Sequence, residues 1–190
     1  MDHRRKFLFT GPPGVGKTTA ITQISDRPPV STEMAASGEL AESKATTTTA
    51  LDFGEVELDD GEVIALYGTP GQRRFEHMWS LLQTRALGLI ILLDRSRPDP
   101  LADLEVFLDG FDGLIARTGA VIGVTRHDDT SEPPMDAFHD VAAERGYIMP
   151  VLACDIRRSD DVRLLMEALI SSAALPTAEH GSGESARQAQ

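Results

Sequence analysis

One short stretch constrains this chain more than any other. Gly11-Pro12-Pro13-Gly14-Val15-Gly16-Lys17-Thr18-Thr19 fits G-x-x-x-x-G-K-[ST]; it follows the apolar run Lys6-Phe7-Leu8-Phe9-Thr10, and Ala20-Ile21-Thr22-Gln23-Ile24 can continue it as a helix. Strand, glycine loop and helix in that order build a phosphate-binding loop. The glycines let successive N–H groups point at an anion, and the helix N-terminus adds its partial positive charge. Lys17 then reaches the β and γ phosphates, and the Thr18 hydroxyl suits Mg²⁺. Gly11, Gly14, Val15, Gly16, Lys17, Thr18 and Thr19 are thus candidate phosphate-binding residues. A plain Gly/Pro turn ahead of a helix would not require Lys and Thr together after the last glycine.

The rest of the chain alternates in period. Residues 27–49 are rich in Pro, Ser, Thr, Ala and Glu without apolar periodicity, and a loop of that length in a small domain is functional or disordered; a mobile segment is expected. Residues 51–58 and 62–67 predict two antiparallel strands around the turn Asp59-Asp60-Gly61. Helical spacing over 73–85 places Phe75, Met78, Trp79 and Leu82 on one face, and 88–93 reads as a buried parallel strand. A helix through Leu101, Leu104, Phe107, Leu108, Phe111 and Leu114 follows, then a strand over 120–124 and a helix over 135–145. Residues 147–152 predict a last strand, in which Pro150 counts against the reading unless the strand lies at an edge, and Val162, Leu165, Met166, Leu169 and Ile170 mark the closing helix. The fold expected is α/β: a doubly wound, mostly parallel sheet with one antiparallel hairpin strand, in one domain over 1–175. Residues 176–190, with their Gly, Ser, Gln and Glu, predict a disordered tail.

Composition narrows the partners. A length of 190 residues suits one core without disulfide or metal staples. A formal net charge of -12 repels nucleic acid and anionic membranes, so any phosphate needs a local site. No run approaches the roughly 18 apolar residues of a membrane span, the apolar part of the first ten residues is too short for an export leader, and no lipidation signal is found. With the lone Cys154 unable to form an internal disulfide, a cytoplasmic protein is expected. His127, His139 and Glu144 lack ligand spacing, and no transition-metal site is expected. His77 reads as solvated and Trp79 as packed.

After the second hairpin strand comes Gly68-Thr69-Pro70-Gly71-Gln72-Arg73-Arg74-Phe75. Together with the phosphate loop it resembles the Ras-like GTPases, closest to the bacterial MglA-like and conservon-associated type with its Thr-Pro-Gly-Gln signature; the resemblance runs over residues 6–175. It implies a P-loop NTPase fold of small-GTPase type that binds GTP/GDP with Mg²⁺ and works as a switch. Gly71 would sense the γ-phosphate and Gln72 would orient the attacking water. Gly68 stands where the family carries the Asp that reaches Mg²⁺ through water, and Asp52 either compensates or is a solvated strand-face residue. In Thr46-Thr47-Thr48-Thr49, Thr48 aligns best with the Mg²⁺-binding threonine, with Thr47 and Thr49 as alternatives. Thr125-Arg126-His127-Asp128 stands at the family's Asn-Lys-x-Asp; Asp128 would select guanine, or else cap a helix. Ala153-Cys154-Asp155 matches the Ser-Ala-Lys motif loosely, through backbone N–H groups, so Ala153 and Cys154 join the nucleotide set and the Cys154 thiol needs no reactivity.

The resemblance also implies a Roadblock-type regulatory partner and a membrane-linked sensor system. Hydrolysis is expected to be slow and partner-stimulated. Pro13 lacks an N–H and crowds the γ-phosphate, and any transition-state arginine comes from Arg73, Arg74 or another protein. Two other readings stay open. A small-molecule or nucleotide kinase using ATP shares the Gly-Pro-Pro-Gly-x-Gly-Lys-Thr loop but needs an Arg-rich lid, which the sequence does not offer. A nucleotide-binding scaffold without turnover is favoured by Gly68.

Overall fold

Lys6–Thr10 forms β1, and the remaining strands are arranged on either side of it. The computed structural model describes residues 5–27, 30–33, 50–58, 61–126 and 132–173. In chain order the elements are α1 (Lys17–Ile24), β2 (Val30–Glu33), β3 (Ala50–Glu57), β4 (Val63–Gly68), a 3-10 turn (Arg73–Phe75), α2 (Glu76–Leu82), β5 (Ala86–Asp94), α3 (Pro100–Thr118), β6 (Ala120–Thr125), α4 (Met135–Glu144), β7 (Val151–Ala153) and α5 (Ser159–Ala173). One seven-stranded sheet results, in the order β2-β3-β4-β1-β5-β6-β7. β3 pairs antiparallel with both β2 and β4, whereas every other pair is parallel, so β3 alone runs against the rest.

The continuous apolar run in β5 follows from cover on both faces. Leu89 and Ile91 point into one core layer and Ile90 and Leu92 into the other, all 0% exposed. On the first face α2, α3 and α4 pack through Trp79, Phe107, Phe111 and Phe138. On the second, α1 and α5 pack through Ile21, Ile24, Val162 and Leu165 against Phe7 and Phe9. α3 is delimited by local chemistry: the Asp99 side chain accepts from the Ala102 N–H at 2.9 Å, Pro100 opens the first turn, and Gly119 at φ 77 ends it.

Four expectations change. Val30–Glu33 is a strand within the segment read as irregular, since Val-Ser-Thr-Glu is too short to show a period; residues 34–49, including Thr46 to Thr49, lie outside the described residues. The helix expected over 73–85 is a 3-10 turn followed by a helix of seven residues. The last strand starts only after Pro150, which has no N–H to donate but whose carbonyl accepts from Ile122 N at 2.9 Å. Ile170 stands 47% exposed on α5 rather than in the core. The expected tail, 176–190, is outside the described residues.

Candidate functional site

Because β1, β4, β5, β6 and β7 are mutually parallel, the loops that leave their carboxyl ends collect along one edge of the sheet. The described candidate site residues lie on those loops, at the strand ends that feed them, or on the first turn of the helix after β1, and Asp52 alone stands on β3. β1 is the strand at which the chain switches from one side of the sheet to the other, the usual position of a ligand crevice.

The glycine loop is held at the limit of atomic contact. Gly11 has φ +140, and a Cβ there would sit 2.1 Å from the Leu92 carbonyl oxygen; Gly16 has φ +101, and a Cβ would sit 1.9 Å from Ile156 Cδ1. Both torsions demand glycine, and at Gly11 the fixed backbone of Leu92 leaves no room for a side chain either. Lys17 is buried at the start of α1, where its Nζ donates to the carbonyls of Gly11 at 2.8 Å and Pro12 at 2.9 Å. Desolvation lowers its pKa to about 8, partly offset by the charge of Asp52.

The segment after β4 is seated directly on this loop. A Cβ on Gly71 would approach the Gly11 carbonyl oxygen to 2.4 Å and the backbone of Pro12 and Pro13 to 2.8 Å. Three bonds fix it there: Thr69 N to Phe9 O at 2.8 Å, Thr69 Oγ1 to Thr10 Oγ1 at 2.8 Å, and Trp79 Nε1 to Pro70 O at 2.9 Å. Trp79 is 1% exposed, and its ring lies 5.3 Å from that of Phe107 and 5.0 Å from that of Phe111. Gly110 makes room for it: a Cβ there would meet Trp79 Cζ3 at 2.4 Å. Gln72, exposed, follows Gly71, and His77 is exposed on α2.

Asp52 is not a merely solvated strand residue. It faces Gly68 across the β3–β4 ladder, and its Oδ2 accepts from Thr18 Oγ1 at 2.6 Å. A Cβ at position 68 would come within 3.0 Å of Asp52 Cβ and Oδ2, so the glycine leaves the space that the carboxylate uses. The hydroxyl of Thr18 and the carboxylate of Asp52 are two oxygens of the kind that a hard cation accepts as ligands.

At the other end lies a cavity of about 620 Å³, bounded by Gly14, Val15, Gly16 and Thr19 and by the loops after β6 and β7. Thr125 is buried, its hydroxyl donating to Leu93 O at 3.1 Å, so it joins β5 to β6. Arg126, at φ 52, donates to Asp94 Oδ2 at 2.6 Å; the other Asp94 oxygen accepts from Ser96 N at 3.0 Å and Ser96 Oγ at 2.6 Å. Ala153 and Cys154 line the cavity, but the Cys154 N–H is used by Val124 O at 2.9 Å, and the Asp155 N–H donates to Asp161 Oδ2 at 2.8 Å. Neither N–H faces a ligand in this arrangement. Burial pushes the Cys154 thiol up to about 12, with Asp161 and Asp155 adding to it, which makes the thiol inert. Arg157 grips Asp155 with two nitrogens, at 2.8 and 2.7 Å, and these hydrogen bonds hold that carboxyl down at about 2. Arg157 and Asp161 line the cavity without a sequence signal, since neither belongs to a local pattern. Asp128 and Thr48 lie outside the described residues.

No protein-family model matches the chain. An uncharacterized protein of Methanocaldococcus jannaschii is 33% identical over 101 residues, which cover 53% of this chain and 58% of that protein. The match thus spans little more than half the length of either protein. Among the described residues no helix is long and apolar enough to cross a membrane.

Proposed function

We propose that this chain is a P-loop GTPase of the Ras-like type, binding GTP and GDP with Mg²⁺ and passing its state to partner proteins. The observation that carries the reading is the seat of Gly71 on the glycine loop, with a Cβ-to-carbonyl approach of only 2.4 Å. A terminal phosphate on that loop would lie against a segment whose position it can change, and such a segment is a switch. Lys17 would leave the Gly11 and Pro12 carbonyls for phosphate oxygens, whose negative charge favours its protonated form. Gly71 N–H would meet the γ-phosphate and the Gln72 amide would orient water.

Thr18 and Asp52 would hold Mg²⁺, which supplies neutralisation of the phosphate charge when bound. This assigns to Asp52 the task that Gly68 cannot perform, and weakens the case for a scaffold without turnover. Guanine would occupy the cavity of about 620 Å³, with Arg126 tethered to Asp94 beside it and Asp128 as the base selector. A Roadblock-type regulator and a membrane-linked sensor are the partners that the resemblance implies, and with Pro13 in the loop the unassisted rate is slow. The test is the nucleotide released from freshly purified protein on denaturation, identified by chromatography. Guanine nucleotide is expected; adenine nucleotide would overturn the reading in favour of the kinase.

A further inference from the structure

We propose that Arg97 is a positioning residue for Gln72, braced by Asp103; the inference rests on the hydrolase reading of the same site. A second cavity, of about 260 Å³, lies on the far side of the glycine loop from the base end, and Pro12, Pro13, Gly71, Gln72, Arg97 and Phe107 are among its walls. Gln72 is exposed there, and its side chain makes no hydrogen bond among the described residues. An unheld glutamine samples several rotamers, and only some of them present its amide to water at the γ-phosphate. Something must restrict it.

Arg97 has the chemistry to do so. It sits on the short loop between β5 and α3, fixed by its own N–H to Asp94 O at 3.2 Å. Its Nε donates to Asp103 Oδ2 at 2.5 Å, which sets the plane of the guanidinium. Asp103 itself stands in the first turn of α3, where the helix dipole favours a carboxylate. With Nε engaged, the two Nη groups are left for another acceptor, and they make no hydrogen bond among the described residues. The Gln72 side-chain carbonyl is an acceptor bordering the same small space. Bound there, the amide would turn its NH₂ end to water. Neighbouring arginines are otherwise engaged: the Arg74 guanidinium lies over the Phe75 ring at 4.8 Å, and Arg95 Nε donates to Pro133 O at 2.6 Å.

The experiment is single-turnover GTP hydrolysis with saturating Mg²⁺, beside titration of a fluorescent GTP analogue on the same samples. Arg97→Ala and Arg97→Gln should lower the rate roughly tenfold, the loss of one charge-assisted hydrogen bond, with unchanged affinity for the analogue. Arg97→Lys should recover only part of it, because an ammonium cannot serve Asp103 and Gln72 with one planar fork. In a Gln72→Leu background, Arg97→Ala should have no further effect. Wild-type rates in both Arg97→Ala and Arg97→Gln would overturn the proposal. So would an equal fractional loss with and without Gln72, which marks a merely structural role. Failure of the wild-type chain to bind the analogue would instead overturn the nucleotide reading beneath it.

Discussion

At the glycine-loop end of the cleft the contacts are backbone on backbone: Gly11 against Leu92, Gly71 against Gly11 and the Pro12-Pro13 backbone, each with no room for a Cβ. At the base end the walls are side chains on tethers, with Arg126 held by Asp94 and Arg157 by Asp155 around a cavity of about 620 Å³. The first end has one shape and accepts one kind of group. The second can be retuned by a single substitution without disturbing the sheet. On the proposed nucleotide reading, affinity would reside at the loop and selectivity at the tethers, and mutations at the two ends should fail differently.

The largest effect belongs to the loop. Lys17→Ala removes the buried cation, and the loss of charge-assisted contacts worth roughly 1.5–3 kcal/mol each should weaken GTP by roughly a hundredfold or more in calorimetric titration. Undiminished affinity would remove the loop from the phosphate site.

Next comes the metal end of the same region. Asp52→Asn should reduce the Mg²⁺-dependent part of GTP affinity about tenfold, as is usual for residues that orient a bound cation. If titrations with and without Mg²⁺ change equally in Asp52→Asn, the aspartate serves only as the partner of Thr18.

Protons give a third separation. Lys17 falls from 10.5 to about 8 because it is desolvated, and phosphate binding requires its protonated form. Above pH 8 the proton must be taken up on binding, so affinity should fall by up to about tenfold per pH unit. Ligand-free stability moves the opposite way: between pH 8 and 10.5 the unfolded chain holds more protons at Lys17, so this residue's contribution to stability rises with pH. Thermal melts and titrations across that window, compared with Lys17→Met, should show opposite slopes. Parallel slopes would reject the assignment.

The smallest effect is expected at the tethers. Arg157 and Asp155 form an exposed ion pair, and solvent screens such pairs, so Arg157→Ala should weaken GTP by no more than about threefold. A larger loss would make Arg157 a direct contact of the base.

The same contrast explains what could be read from the residues alone. The loop at 11–18 is contiguous, and its glycines are required by local torsion, so its place after β1 and its turn into α1 follow from order alone. The strand and helix periods gave most elements for the same reason, each being covered by apolar residues of its own segment. Asp52 could be suspected but not assigned, because its role depends on standing opposite Gly68, a register fixed only when β3 pairs with β4. Arg97 was invisible: its neighbour Gln72 is brought to it by the fold, through Trp79 packing on α3 and the Trp79–Pro70 bond. At the base end, the Cys154 N–H was expected to meet a ligand, yet the β6–β7 ladder takes it, an outcome set by strand pairing rather than by a motif.

The central claim is that the cleft selects guanine nucleotides through a loop that grips phosphate and a side-chain carboxylate that reads the base. Displacement of a fluorescent GDP analogue by GTP and by ATP, at fixed Mg²⁺, tests it in the wild type and in Asp128→Asn. GTP should displace the analogue at roughly a hundredfold lower concentration than ATP, and the gap should narrow in the variant, since a site built for a donor pair rejects a base that lacks it. Equal displacement by ATP and GTP in the wild type would contradict the account.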